Sequence, residues 1–401
     1  MMSIQSEVEK RNHRKLGQEL ELFISMEEAP GMPFYLPKGM LLRNELEDFW
    51  KREHRKAGYQ EIRTPIMMKQ ELWEKSGHWD HYHENMYFSE VDDQKYAIKP
   101  MSCPGAVLIY KSKKRSYREL PLRFGELGLV HRHELSGSLS GLLRVRSFTQ
   151  DDAHLFVRED QIREELHKVL DLIDRFYGKF GFDYKVELST RPEDFMGSVD
   201  LWNQAEDDLE GVLKDREVDY HINEGDGAFY GPKIDFHILD ILGRSWQCGT
   251  VQLDFQMPEK FQCQYIGEDN QAQMPIMIHR AIYGSIERFL AIIIEHFGGD
   301  FPLWLAPHQV KILPISEAHN AFAEEVKFQL ENEGLRVELD DRAEKVGLKI
   351  REAEMQKVPY MMVIGDKELQ QQSVSLRKRK EGNLGVVTMK EVIMKLKDEL
   401  I

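Results

Sequence analysis

Residues 131–154 read HRHELSGSLSGLLRVRSFTQDDAH, and this stretch carries most of what the sequence says about fold and function. A strand-like run over 127–132 leads into a Ser/Gly-rich loop ending at Gly141, and a second extended run follows over 142–150. The pattern predicts a strand, a flexible loop and a second strand. An arginine and a glutamate flank the loop. Taken alone, an exposed hairpin with salt bridges explains these residues equally well.

A nucleotide site is the other interpretation of this hairpin. Activation of a carboxylate by ATP needs a cation at the α-phosphate, where negative charge gathers, and a rigid antiparallel pair holds such a cation well. Gly284-Ser285-Ile286-Glu287-Arg288 supplies a second candidate arginine on a predicted helix, with the same ambiguity. The residues alone leave both interpretations open.

Composition limits the class of protein. The chain has 401 residues, 41% hydrophobic and 31% charged, which suits one large domain with a smaller companion. Its formal charge of −15 argues against a protein that coats nucleic acid through bulk positive potential. No stretch is apolar for long enough to cross a bilayer, so the expected location is the cytoplasm. Three cysteines without CxxC spacing argue against disulfides and against a local zinc finger.

Apolar spacing predicts the main elements of the large domain. It indicates an amphipathic helix over 39–57, a short strand ending at Pro65, and helices over 160–180 and 278–297. Between about residues 96 and 252, short strand-like segments alternate with Gly-rich or charged turns. The prediction is an α+β fold with an antiparallel sheet and helices outside it.

Near Ala306 the pattern changes to alternating strand and helix, which predicts a smaller C-terminal α/β domain. The signals in order are a strand at 310–313, a helix opened by Ser316, a stop at Gly334, a strand at 335–339 and a capping box at 388–391. We therefore expect one domain over residues 1–305 and a second over 306–401.

Residues 132–156 resemble motif 2 of the class II aminoacyl-tRNA synthetases, and residues 144–154 resemble the threonyl-tRNA synthetase family in particular. Residues 284–288 are similar to motif 3, and the helix and strand ending at Pro65 to motif 1. Further matches lie at 28–32, 99–105, 227–233 and 246–252, so nearly the whole chain is covered. The resemblance implies a class II antiparallel catalytic domain, followed by an anticodon-binding domain.

The resemblance also implies the roles of the ATP-binding residues. Arg132 and Arg288 are the implied catalytic residues, with Arg132 on the α-phosphate and Arg288 on the outer phosphates. Arg144 shares the outer phosphates, Glu134 contacts the adenine side, and Gln247 belongs to the same site. Mg²⁺ is expected with the phosphates, without assigned protein ligands.

A zinc ion bound by Cys103, His154 and His279 is implied for the amino-acid pocket. Their separations, 154 − 103 = 51 and 279 − 154 = 125, fit no local zinc motif. Three protein ligands leave room for the amine and hydroxyl of L-threonine, which valine cannot match. Asp152 is the implied acceptor for that hydroxyl, and the implied lining residues are Met101, Gln150, Tyr230 and Gln252.

Serine also offers an amine and a hydroxyl, so discrimination against it is the weak point of this scheme. Most bacterial members carry an N-terminal editing domain. We expect this chain to have no counterpart of it, and so to form Ser-tRNA and not to hydrolyse it. The C-terminal domain resembles an anticodon-binding domain, in which Glu368 and Arg377 would read bases of tRNA(Thr). The basic run 377–380 is an expected RNA contact, and a homodimer through motif 1 is the expected assembly.

Two residues depart from the family pattern, and three alternative functions stay open. Ala106 stands where the family usually has His, and Ala343 where it usually has Asn. The alternatives are a paralogue that passes an aminoacyl-adenylate to a carrier, a non-catalytic RNA-binding relative, and a second, inhibitor-resistant copy. The first is disfavoured by the C-terminal domain and the second by the retained arginines and metal ligands, while the third rests on Ala106 alone.

Overall fold

The computed structural model describes residues 4–400, with side chains from residue 7 onwards. The helices are α1 Ile4–Arg11, α2 His13–Glu19, α3 Pro37–Lys56, α4 Gln70–Ser76, α5 His78–Tyr82, α6 Cys103–Lys111, α7 Ile162–Phe180, α8 Val199–Asp215, α9 Gln256–Lys260, α10 Ile286–Phe297, α11 Asn320–Asn332, α12 Val346–Met355, α13 Asp366–Gln371 and α14 Met389–Leu400. None of these described helices is long and apolar enough to cross a membrane.

The strands fall into several sheets. They are β1 Phe23–Ile24, β2 Phe34–Tyr35, β3 Gln60–Glu61, β4 Met67–Lys69, β5 Tyr87–Val91, β6 Gln94–Ile98, β7 Leu122–His131, β8 Ser147–Val157, β9 Asp183–Ser189, β10 Tyr220–Asn223, β11 Lys233–Leu239, β12 Ser245–Asp254, β13 Tyr265–Ile266, β14 Ala272–Gln273, β15 Ile276–Ala281, β16 Val310–Pro314, β17 Val337–Leu339, β18 Tyr360–Ile364, β19 Ser373–Lys378 and β20 Gly382–Thr388.

The chain divides into two compact units. One consists of residues 25–33 and 47–292, and the other takes the N-terminal part to Ile24, residues 34–46 and the chain from Ile293 onwards. The expected boundary between residues 305 and 306 stays a prediction.

An eight-stranded sheet, in the order β10-β9-β11-β12-β15-β8-β7-β3, forms the centre of the first unit. All neighbours pair antiparallel except β10 with β9 and β3 with β7. The strand-loop-strand order is confirmed, because β7 and β8 pair in one long ladder from Leu122 opposite Phe156 to His131 opposite Ser147. The second strand begins at Ser147, however, and not at residue 142 as predicted. The antiparallel α+β prediction for this part of the chain is confirmed as well.

Two amphipathic helices agree with their patterns. The predicted helix over 39–57 is observed as α3, and the helix predicted over 160–180 is α7. The stripe predicted for α7 is fully buried, with Ile162, Leu166, Val169, Leu170, Ile173 and Phe176 at most 3% exposed. Burying an apolar face of this length is the main source of helix stability in a protein.

The helix predicted over 278–297 is wrong over residues 278–285. Residues 276–281 form strand β15, and the helix begins at Ile286. All six residues of β15 are buried, since it lies between β12 and β8 in the middle of the sheet. A short, fully buried apolar run has no alternation that would separate a strand from a helix.

The second unit contains a five-stranded sheet in the order β17-β16-β18-β19-β20. The first three strands are parallel, and β19 and β20 add antiparallel. Ser316 begins a short 3₁₀ turn at 317–319 rather than the α-helix itself, which starts at Asn320. The capping box is confirmed, because the Thr388 N–H donates to the Glu391 carboxylate at 2.8 Å and the Glu391 N–H donates to Thr388 Oγ1 at 3.4 Å.

Candidate active site

Three neighbouring strands bring the predicted amino-acid pocket together. On β8, Gln150, Asp152 and His154 alternate and therefore share one face of the sheet. In register across the sheet, His154 lies opposite His279 on β15, and His279 lies opposite Gln252 on β12. The polar side chains of this pocket are thus held by the ladder pairing of the sheet centre.

The three predicted metal ligands converge. Cys103 is the first residue of α6, and its sulfur lies within 4.8 Å of the ligand nitrogens of His154 and His279, which lie equally close to each other. All three are at most 6% exposed. One thiol and two imidazoles are a donor set that zinc prefers, and three protein ligands leave a position for substrate. The residues therefore fit a catalytic zinc site.

The electrostatics of this cluster agree with that donor set. Burial holds the pKa of His154 well below its ordinary value, so the imidazole is neutral, as a metal ligand must be. Burial also raises the pKa of the Cys103 thiol well above its ordinary value. A bound cation is therefore needed to hold this sulfur as a thiolate.

Sequence reasoning missed two residues beside the cluster. Asp254, the last residue of β12, places Oδ2 2.8 Å from His279 Nε2, while its Oδ1 accepts the N–H groups of Gln256 and Met257. Buried His78 places Nε2 3.9 Å from the Cys103 sulfur. Asp254 follows Gln252 by two positions and therefore lies on the same face of the strand. This spacing was the one sequence signal that could have placed Asp254 at the site.

A cavity of about 200 Å³ opens onto the cluster. It is lined by all the residues expected to bind the amino acid, namely Met101, Gln150, Asp152, Tyr230 and Gln252, together with the three candidate ligands. The Tyr230 hydroxyl donates to Gln252 Oε1 at 2.8 Å. Burial raises the pKa of Asp152 to about 7. Asp152 is thus a buried carboxyl group at the wall of a polar cavity.

An adjoining cavity of about 410 Å³ contains all five residues expected to bind ATP: Arg132, Glu134, Arg144, Gln247 and Arg288. Arg144 is paired with Glu134 at 2.8 Å. Arg132 Nε donates to the carbonyl of Pro100, and Arg288 Nε donates to that of Leu143, both at 3.1 Å. Backbone carbonyls thus orient two guanidinium groups while leaving their charge in the cavity.

The two cavities adjoin along shared walls, since Arg132, Gln150 and Gly284 line both. A carboxylate in the smaller cavity would therefore face the cations of the larger one. That juxtaposition suits attack of a carboxylate on a phosphate, because the guanidinium groups meet the negative charge that develops there.

The two residues expected to read anticodon bases lie in the second unit. Glu368 is on α13, where its carboxylate accepts the Gly365 N–H at 3.0 Å. Arg377 is on β19, and its Nε has no hydrogen-bond partner among residues 4–400. Acidic partners hold the rest of the basic run 377–380, with Lys378 on Glu399 and both Arg379 and Lys380 on Asp300. Among residues 4–400, Arg377 is thus the member of this run without an acidic partner, although its Nε is itself buried.

The two departures from the family pattern differ in their surroundings. Ala106 is completely buried on α6, one turn after Cys103. Ala343 is exposed in the segment before α12. All three cysteines are buried and unbridged, as their spacing predicts.

Comparison with known proteins gives consistent matches along the chain. Residues 87–297 match the family described as the tRNA synthetase class II core domain (G, H, P, S and T), and residues 309–399 match the anticodon-binding domain. The chain is 60% identical over 394 residues to a threonine–tRNA ligase of Carboxydothermus hydrogenoformans, covering 98% of this chain and 62% of that protein. The corresponding ligase of Caldanaerobacter subterraneus is 60% identical over 399 residues, with 62% of its length covered.

A solved structure agrees with these sequence matches. The RNA-binding domain of threonyl-tRNA synthetase from Cryptosporidium parvum superposes with a TM-score of 0.91 at 42% identity, covering 97% of this chain and 98% of that one. The chain spans somewhat less than two thirds of the length of the curated relatives it matches.

Proposed function

The chain belongs to the class II aminoacyl-tRNA synthetases, in their threonyl-tRNA synthetase family, and from that premise we propose that it activates L-threonine with ATP and transfers it to tRNA(Thr). The observation that carries the proposal is the pair of adjoining cavities. One is lined by three arginines, and the other by Cys103, two histidines and Asp152.

The first half-reaction joins the contents of the two cavities. A carboxylate oxygen of threonine bonds to the α-phosphorus of ATP, the bond from that phosphorus to the bridging oxygen breaks, and pyrophosphate leaves. Arg132 would stabilise the α-phosphate charge, Arg144 and Arg288 the departing phosphates, and Glu134 and Gln247 would hold the nucleotide. Mg²⁺ is the proposed partner of the phosphates.

Selection of threonine is proposed to occur in the smaller cavity. A zinc ion held by Cys103, His154 and His279 would supply Lewis-acid contacts to the substrate amine and hydroxyl. Asp152 would accept the hydroxyl hydrogen bond, while Met101, Gln150, Tyr230 and Gln252 enclose the rest. Valine would leave Asp152 without a hydrogen-bond partner in a buried site, which is a strong basis for rejection.

Serine satisfies the same contacts as threonine except for one methyl group. A missing methyl group weakens binding only modestly, so the site is expected to activate serine as well. We further propose that the chain does not hydrolyse the resulting Ser-tRNA. Purified chain added to preformed Ser-tRNA tests this point, and rapid deacylation would contradict it.

The second unit is proposed to bind the anticodon loop of tRNA(Thr) through Glu368 and Arg377. Polar side chains on a small α/β domain commonly read the edges of unstacked loop bases. A two-fold homodimer through the motif 1 segments is the proposed assembly, and the cytoplasm, where translation uses charged tRNA, is the proposed location.

Charging of tRNA tests the function as a whole. Purified zinc-loaded chain, ATP, Mg²⁺ and labelled threonine should yield threonyl-tRNA from a tRNA(Thr) transcript but not from a tRNA with another anticodon. Adenylate formation without transfer to tRNA would favour the carrier-dependent alternative. A complete lack of adenylate formation would favour the non-catalytic one.

A further inference from the structure

Asp151 stands between two pocket residues but faces away from them. It follows Gln150 and precedes Asp152 on β8, so its side chain points to the opposite face of the sheet. It is completely buried. A buried carboxylate is costly unless its oxygens are hydrogen-bonded, so its partners indicate what it does.

Three consecutive backbone N–H groups converge on this carboxylate. Oδ2 accepts from Ile282 and Tyr283, and Oδ1 accepts from Gly284, each at 2.9 Å. These residues form the turn that joins β15 to α10. The carboxylate therefore fixes the path of the chain between the strand with His279 and the helix with Arg288.

Glycine is required in this turn. Gly284 has φ +79°, and a Cβ there would lie 2.6 Å from the carbonyl oxygen of Cys248. Gly284 also lines both cavities. The turn held by Asp151 thus forms part of the wall between the amino-acid and ATP cavities.

Two further bonds join the same segments. Gln150 forms an isolated antiparallel bridge with Ser285. The Thr149 N–H donates to the Glu287 carboxylate at 2.7 Å in a buried position. Residues 149, 150 and 151 are each bonded to the segment 282–287, which ends one residue before Arg288.

We propose that Asp151 is a positioning residue that sets Arg288 in register with the amino-acid-selecting side chains of β8. The inference rests on the proposed function. Since α10 starts two residues after Gly284, a shift of the turn moves Arg288 relative to the carboxylate that must attack ATP. An error of about 1 Å in such an arrangement costs on the order of a hundredfold in rate.

Asp151→Asn is the direct test. The amide oxygen can still accept hydrogen bonds, but the amide nitrogen is a donor and would face a backbone N–H. In threonine-dependent exchange of pyrophosphate into ATP, we expect kcat to fall by about a hundredfold or KM for ATP to rise, with KM for threonine near the wild-type value. Zinc per chain should not change.

Asp240→Asn is the matched control. Asp240 is also a buried aspartate that accepts backbone N–H groups in a turn, those of Leu242 and Arg244, but this turn joins β11 to β12 and lines neither cavity. Its variant should lose thermal stability without the ATP-side defect. If Asp151→Asn is too unstable to purify, Gly284→Ala displaces the same turn and should show the same defect.

The outcomes separate the inference from the function. If the wild-type chain shows no threonine-dependent exchange, the proposed function fails. If the wild type exchanges and Asp151→Asn matches it, or raises KM for threonine as much as KM for ATP, the positioning role is wrong while the function stands. If Asp151→Asn and Asp240→Asn show equal defects in pyrophosphate exchange, the role of Asp151 is purely structural.

Discussion

His279 Nε2 lies 2.8 Å from Asp254 Oδ2, and both side chains are buried. Because the carboxylate accepts from Nε2, it fixes the tautomer of the imidazole and leaves Nδ1 as the nitrogen that can bind a metal. Histidines that ligate metals almost always make such a bond through their other nitrogen. The pairing therefore supports His279 as a ligand of the proposed zinc site.

Substitution Asp254→Asn should weaken zinc binding about 10- to 100-fold. The amide can still receive the N–H groups of the following turn, but it no longer offers a charged acceptor to His279. Competition with a chromophoric chelator measures the affinity directly, without reference to catalysis. Asp240→Asn is the control, and equal zinc affinity in the two variants would show that Asp254 does not orient the ligand.

Arg132→Ala should lower kcat for threonine-dependent pyrophosphate exchange by about 10² to 10³, because a donor aimed at the developing charge is lost. Zinc content should stay at the wild-type value, since Arg132 is not one of the metal ligands. Arg118→Ala removes an exposed arginine outside both cavities and should leave exchange unchanged. If the Arg132 variant exchanges pyrophosphate at the wild-type rate, Arg132 has no role in the proposed mechanism.

Arg377→Ala should raise KM for tRNA(Thr) about tenfold, the cost of losing one hydrogen bond from a charged group. Pyrophosphate exchange, which needs no tRNA, should not change. Lys378→Ala is a control on the same strand, because that ammonium group is already paired with Glu381 and Glu399. An unchanged KM for tRNA in the Arg377 variant would contradict base reading by this side chain.

Asp300→Asn should destabilise the second unit in a pH-dependent way. Burial raises the pKa of Asp300, but hydrogen bonds from Lys380 and Arg379 outweigh it, so the pKa lies below its ordinary value. A carboxyl group with a lowered folded-state pKa contributes stability that is present above its unfolded pKa, near 4, and is lost as the pH falls through the folded value.

The difference in unfolding free energy between wild type and Asp300→Asn should therefore be about 1 kcal/mol at neutral pH. It should begin to fall near pH 4 and vanish only below the folded-state pKa of Asp300. Thermal melts across this range measure it. Asp398→Asn, at an exposed position on α14, should show no such trend. A difference that persists undiminished in acid would mean that the ion pairs are not its source.

Local sequence was sufficient for the elements whose patterns are periodic. Helix α7 was predictable because its apolar residues recur at helical spacing and are all buried. The capping box at Thr388 and the β7–β8 hairpin were predictable for similarly local reasons. Strand β15 was not, because burial on both faces removes the alternation that marks a strand.

The site depends on long-range pairing that no local pattern encodes. Cys103, His154 and His279 come from α6, β8 and β15, and only the family resemblance connected them before the fold brought them within 4.8 Å. Asp254 lies outside every matched motif, and Asp151 lies within the motif 2 segment without an implied role. Their roles follow from hydrogen bonds that exist only in the folded sheet.

Exchange of pyrophosphate into ATP with different amino acids tests the central claim most directly. With zinc-loaded chain, threonine should support rapid exchange, serine should support slower but measurable exchange, and valine should support essentially none. The reason is that only the first two offer an amine and a hydroxyl to the metal and to Asp152. No exchange with threonine, or exchange with valine at a comparable rate, would contradict the account.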